Sequence, residues 1–224
     1  MIRKAGDIIN EYLREGKLAA NRSTPIGAGT YGSVYESDIP GRVMKQMHNA
    51  KQSPMLEEEL NLQAIAADLG MAPKITSLET FPGGIGNRIE MQDVRNNFET
   101  RGKKYRDFPQ GIDAVRVNQQ LGQLALRGVR LEDRHNGNIR YHKMTGRPMQ
   151  LDFGIAGKLN DKSEKAAFLS EVTAEGFEAA GIPEMGSILR ATVMDMLEGG
   201  DVEDALDVAR QGFGRLMQIK KTIQ

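Results

Sequence analysis

Two short phrases constrain this chain more than anything else in it: Asp133-Arg-His-Asn-Gly-Asn138 and, shortly after, Leu151-Asp152-Phe153-Gly154. The first sets an Asp five residues ahead of an Asn, and the second carries another Asp on a tight glycine turn. The β-prone stretches between them, 139–142 and 148–151, have the spacing of a hairpin that would bring the three side chains together. A carboxylate that orients a hydroxyl, next to an amide oxygen and a second carboxylate that hold Mg²⁺, is the set that phosphoryl transfer from ATP requires. An Asp-Phe-Gly tripeptide alone occurs by chance in many chains. The ordered pair of phrases is far more specific.

A third phrase lies upstream, Ile26-Gly27-Ala28-Gly29-Thr30-Tyr31-Gly32-Ser33-Val34-Tyr35. Its glycines would let a strand-turn-strand approach phosphate oxygens without a Cβ clash, with Tyr31 at the tip. The same glycine spacing also marks dinucleotide-binding turns, but those need a helix directly after the last glycine. Here Ser33-Val34-Tyr35-Glu36 is β-prone and the turn Asp38-Ile-Pro-Gly41 follows. The context selects a hairpin that covers phosphates, with Ile26, Gly27, Gly29, Gly32 and Val34 as candidate nucleotide-binding residues.

With these three phrases in this order, the chain resembles the protein-kinase-like superfamily over about residues 23–158. The Asp133–Asn138 phrase, with His135 where typical eukaryotic protein kinases carry Lys, is similar to the atypical branches: RIO-type kinases, aminoglycoside and choline phosphotransferases, and very small bacterial or phage-encoded kinases. The resemblance implies an α+β, two-lobed kinase-like fold with a five-stranded antiparallel small lobe and a truncated helical large lobe. It implies ATP and Mg²⁺ as the nucleotide and the metal. Asp133 would be the catalytic carboxylate and His135 its support in the loop, with Asn138 and Asp152 as the metal ligands. Lys45, in the strand Arg42-Val43-Met44-Lys45-Gln46, would grip the α- and β-phosphates. A strand lysine is ordinarily solvated, but between the glycine run and the next helix the other lysine, Lys51, sits in a polar turn.

The resemblance also calls for a Glu on that helix to brace Lys45. Glu57, Glu58 and Glu59 are candidates, and such a run is usually a solvated face. Glu58 is the choice, because Leu62 and Ile65 follow it at +4 and +7 and would share an inward stripe; Glu59 is the reserve. Ile89-Glu90-Met91-Gln92-Asp93-Val94 resembles the strand that runs into the hinge, so Met91, Gln92 and Val94 would meet the adenine. Glu132 stands where regulated protein kinases carry the Arg that pairs with a loop phosphate, and no Ala-Pro-Glu phrase follows Gly154. Activation by loop phosphorylation is therefore not expected. A bound protein partner or the N-terminal helix is the expected regulator, if there is one.

Composition sets the outer bounds. Thirty basic and thirty acidic residues in 224 cancel, so charge gives no case for nucleic acid as a partner. The absence of cysteine excludes disulfides and thiolate metal sites. No apolar run approaches the ~20 residues of a membrane span, and the N-terminus lacks the apolar core of a secretory signal. A cytoplasmic site of action is the expectation, with delivery into a host cell by another route left open.

Amphipathic spacing predicts a helix over 2–18 and one over 55–69 started by Ser53-Pro54. Strands are expected at 23–26, 33–37, 42–47, 75–78 and 88–94, an irregular or short helical link at 95–110, and a helix over 111–128. The remainder should hold two or three helices broken at Gly181-Ile-Pro183 and Gly199-Gly200. One kinase-like domain results: an N-terminal helix at 1–20, a small lobe at 21–92 and a reduced large lobe at 93–224. Three functions stay open, namely a serine/threonine kinase of proteins, a kinase of small-molecule hydroxyls, and a nucleotide-binding scaffold without turnover. Little chain remains to build a small-molecule pocket, which favours the first.

Overall fold

The structure, a computed structural model, describes residues 24–28, 32–48, 53–79, 87–101 and 107–219, with side chains in the first long helix described from residue 56 onward. The helix expected at 2–18, Gly29 with the tip of the glycine loop, and the glycine-rich turn at 81–86 lie outside these residues. The chain divides into two compact units, Met1–Gln52 with Ile75–Asp93 and Ser53–Lys74 with Val94–Gln224.

The first unit is a five-stranded sheet of β1 (Gly27–Ala28), β2 (Gly32–Glu36), β3 (Arg42–Met47), β4 (Ile75–Glu79) and β5 (Arg88–Gln92), in the order β1-β2-β3-β5-β4. Every pairing is antiparallel, so the molecule is α+β with the expected number and sense of strands. Side chains alternate across a strand, and here the alternation gives two different faces. Val43, Met47, Ile89 and Met91 are buried on one. On the other, Glu90 accepts hydrogen bonds from Ser37 Oγ at 2.6 Å and Arg42 Nη1 at 2.8 Å. Those two donors hold the Glu90 carboxyl below its usual pKa. β5 stops at Gln92, two residues short of the expected end. Val94 instead accepts backbone hydrogen bonds from Asn97 and Phe98 and opens a turn.

The second unit holds five α-helices among the described residues: α1 (Ser53–Asp68), α2 (Gly111–Leu126), α3 (Lys162–Ala179), α4 (Pro183–Gly199) and α5 (Val202–Ile219). Leu62 and Ala66 of α1, Leu121 and Leu124 of α2, Leu169 and Phe177 of α3, and Leu206 and Leu216 of α5 pack into one buried cluster. Each large side chain removed from water there contributes about 1.5–3 kcal/mol before entropy is set against it. Asp161 caps α3 by accepting from Glu164 N at 2.8 Å, α4 starts on Pro183, and Gly200 ends it at φ 89°. Among the described residues, no helix is long and apolar enough to cross a membrane.

Around these helices the unit carries short strands: β6 (Phe98–Glu99), β7 (Val129–Arg130), β8 (Ile139–His142), β9 (Pro148–Gln150) and β10 (Gly157–Lys158). β8 and β9 form the expected hairpin, and β6 pairs with the outer edge of β8. The stretch 95–110 is therefore not wholly irregular. Arg101, just past β6, binds Glu99 and Asp113 at 3.0 Å each and lies over the Tyr141 ring at 5.0 Å. That network ties the hairpin to the start of α2.

Candidate active site

The segment after β7 is irregular until a single 3-10 turn, Asn136–Asn138, feeds β8. Its conformation is fixed by its own polar groups. His135 Nδ1 accepts from Gly137 N at 3.0 Å, which puts the proton of a neutral ring on Nε2. That nitrogen lies 3.2 Å from Asp133 Oδ1, so His135 steadies the Asp133 carboxylate while its other edge shapes the turn. Asn138 is 5% exposed and donates through Nδ2 to Asp133 O at 3.3 Å. Asp133 and Asn138 are thus linked through a local hydrogen bond.

The hairpin joins this loop to the second phrase. Ile139 stands opposite Gln150, and Leu151 N donates to Asn138 O at 2.8 Å. Asp152 follows directly. Its Oδ1 accepts from Gly154 N at 3.1 Å, an Asx turn that sets the direction of the carboxylate. Phe153, 1% exposed, anchors the turn in the core. Asp133, His135, Asn138 and Asp152 are held in one neighbourhood of the helical unit by main-chain geometry as well as by side chains.

Arg134 binds Glu175 of α3 through two hydrogen bonds, at 2.5 and 3.4 Å, and reaches Glu171 at 3.9 Å. This tether was not evident in the sequence, because Arg134 and Glu175 stand 41 positions apart. Glu132 is exposed and pairs with Arg130 at 2.6 Å.

In the sheet unit, Lys45 is paired in register with Val34 on β2 and Ile89 on β5. It falls between Val43 and Met47 on the buried face, a costly place for a charge unless something holds it. Met91 is buried on this same face, Gln92 is exposed, and Val94 is buried. Gly32 is required by packing, since a Cβ there would stand 2.7 Å from Gln46 O. Gly27 is not, because its Cβ would meet only Val34 Cβ at 3.9 Å. Ile26, just before β1, is exposed.

On α1 the buried positions are Leu56, Glu59, Leu62, Gln63, Ala66 and Ala67. Counted from Glu59, four of these fall at +3, +4, +7 and +8. Glu58 is exposed and lies 3.7 Å from Lys158 Nζ, and Ile65, which had placed Glu58 on an inward stripe, is itself exposed. The inward carboxylate of the run is Glu59.

The two residues expected to hold the metal, Asn138 and Asp152, offer one amide oxygen and one carboxylate, both hard oxygen ligands. Mg²⁺ commonly takes one or two protein carboxylates and completes its shell with phosphate and water, so these residues fit it. Among the described residues, no group of three or more His, Cys, Asp or Glu side chains could hold a metal alone. No protein-family model matches the chain, and no curated protein does either.

Proposed function

We propose that the chain is an ATP-dependent phosphotransferase of kinase-like, two-lobed architecture that moves the γ-phosphoryl group to a serine or threonine hydroxyl of a protein. The sheet unit takes the role of the small lobe, and the helical unit that of a reduced large lobe. The observation that carries the reading is the bonding of the Asp133–Asn138 loop to the residue preceding Asp152, through Leu151 N and Asn138 O.

In this reading Asp133 accepts a hydrogen bond from the acceptor hydroxyl and orients its oxygen toward phosphorus. His135 keeps that carboxylate in position. Asn138 and Asp152 would hold Mg²⁺, which neutralises charge on the phosphate oxygens when bound. Lys45 supplies a fixed cation to the α- and β-phosphates, braced by Glu59 as the buried member of its run. Gly27, Gly29 and Gly32 bring backbone N–H groups to the phosphates, and Met91, Gln92 and Val94 take the adenine. The site works by positioning and electrostatics, which supply most of the rate in this chemistry.

The test is turnover of Mg-ATP by the purified protein with a lysate as the acceptor source, read by phosphopeptide mass spectrometry. Asp133→Ala and Asp152→Ala should each lower the rate by about 10²–10⁴-fold. Full activity in both variants would overturn the assignment. A phosphorylated metabolite without phosphopeptides would move the acceptor to small molecules. Tight Mg-ATP binding without product would make the protein a nucleotide-binding scaffold.

A further inference from the structure

Asp133 sits in the irregular stretch between β7 and the 3-10 turn, where no strand or helix fixes its direction. Its side chain is partly exposed, open enough to meet an acceptor hydroxyl and equally able to turn away from one. His135 Nε2 supports the carboxylate from two residues downstream. The backbone that carries the carboxylate needs a hold of its own, because a displacement of about 1 Å can cost about a hundredfold in rate.

Arg134, the next residue, has such a hold. Its guanidinium meets Glu175 of α3 through Nη1 at 2.5 Å and Nη2 at 3.4 Å, with Glu171 at 3.9 Å. Two bonds from a planar fork fix direction as well as distance. Exposure separates this pair from an ordinary surface one. The Arg134 and Glu175 side chains are 19% and 33% exposed, against 49% and 50% for Arg130 and Glu132 just upstream. A single-pronged pair as open as Arg130–Glu132 contributes little, whereas the Arg134 pair is two-pronged and partly shielded.

The far end of the tether is close-packed. Glu175 lies between Ala174 and Gly176, both buried, and Phe177 beyond them is buried as well. A Cβ at Gly176 would stand 2.5 Å from Leu216 Cδ2 of α5, and one at Gly186 of α4 would stand 2.7 Å from Ala174 O. This turn of α3 therefore has little room to shift. Arg134 ties the backbone next to Asp133 to a point held by three packed helices.

We infer that Arg134 is a positioning residue: its ion pair with Glu175 holds the chain at Asp133 so that the carboxylate keeps the direction phosphoryl transfer requires. The role in transfer rests on the phosphotransferase reading; the hold on the loop does not.

Two measurements on the full chain test it. The first needs no turnover. Backbone amide NMR relaxation is compared for the wild type, Arg134→Met and Glu175→Gln, variants that keep an apolar stem and lose the charged pairing. Order parameters at residues 132–135 should fall in both, while those at 168–177 in α3 keep their wild-type values. Unchanged values at 132–135 overturn the inference whatever the ATP turnover.

The second is kinetic, with Mg-ATP and a serine peptide taken from the phosphopeptides that the lysate reaction yields. Arg134→Met and Glu175→Gln should each lower kcat about 10–100-fold and leave KM for ATP nearly unchanged. The double variant should be no worse than either alone, since each removes the same interaction. Arg134→Lys keeps the charge and loses the fork, so its kcat should fall between Arg134→Met and the wild type, and it carries both measurements if Arg134→Met does not fold. A tether that served stability alone would lower the urea midpoint and leave kcat of the folded enzyme intact. That result overturns the inference, as do fully additive losses in the double variant. Loosened loops in a protein whose wild type phosphorylates no acceptor keep the tether, remove its role in transfer, and locate the failure in the phosphotransferase reading.

Discussion

His135 does two jobs with two nitrogens, and neither requires it to carry a proton in the reaction. Nδ1 accepts from Gly137 N and closes the 3-10 turn, and Nε2 steadies Asp133 Oδ1 at 3.2 Å. In His135→Ala the carboxylate loses its side-chain support while the metal ligands stay, so kcat should fall about 10–100-fold, the scale of a small misplacement. KM for ATP should barely move. His135→Asn keeps an acceptor for Gly137 N in an Asx turn but lacks the reach of Nε2 to Asp133, so it should restore the turn without restoring kcat; full recovery would reduce His135 to shaping the turn. The local hydrogen bonding of the Asp133–Asn138 phrase was legible because its spacing is local, and a six-residue loop has few ways to satisfy its own polar groups. The choice among Glu57, Glu58 and Glu59 was less legible. Ile65 and Leu62 are both apolar, yet Leu62 is 1% exposed and Ile65 36%. Apolarity alone does not fix the phase of a helix; the buried Gln63, which donates to Pro73 O at 3.0 Å, sets it here.

The elements themselves were legible wherever a periodic run met a strong stop. Ser53-Pro54 opens α1, Gly111 to Leu126 forms α2, and the breaks near Pro183 and Gly200 separate α3, α4 and α5. The two-residue strands β6, β7 and β10 were not legible, because a pair such as Val129–Lys158 is made by chain folding and carries no local period. Contacts between helices depend on glycines that sequence alone leaves ambiguous. At Gly186 of α4 a Cβ would sit 2.7 Å from Ala174 O and 3.0 Å from Ala174 Cα, both backbone atoms that cannot swing aside. Gly186→Ala should destabilise the protein by about 1–3 kcal/mol through this overpacking, although alanine is the better helix former. Gly214 of α5 is the matched control: it is exposed, and an added Cβ would meet nothing within 4 Å. Gly214→Ala should stabilise by up to ~1 kcal/mol. Urea melts of both variants check the opposite signs, and equal effects would refute the packing argument for α4 against α3.

At the scale of the whole molecule, the sequence order misleads about grouping. α1 lies between strands of the sheet unit in sequence, but Leu62, Ala66 and Ala67 belong to the same buried cluster as Val115 and Leu121. A helix is assigned by what covers its apolar face, which the sequence does not state. The proposed function assigns one nucleotide to Lys45, Asn138 and Asp152, so its binding should register in global stability. A ligand that binds only the folded protein stabilises it by about 2.7 kcal/mol at a hundred times its Kd. For a chain of this size that is roughly 5–10 °C in Tm. Mg-ATP should produce such a rise and ATP with excess chelator only a small part of it, because Asn138 and Asp152 act on the phosphates through the metal. Lys45→Met should lose most of the rise with Mg²⁺ present, since it removes the one phosphate cation proposed on the buried sheet face. A rise that survives chelation would remove the metal role of Asn138 and Asp152. A Lys45→Met protein that kept the full rise would remove Lys45 from the nucleotide site, leaving the helical unit to account for binding with its own residues.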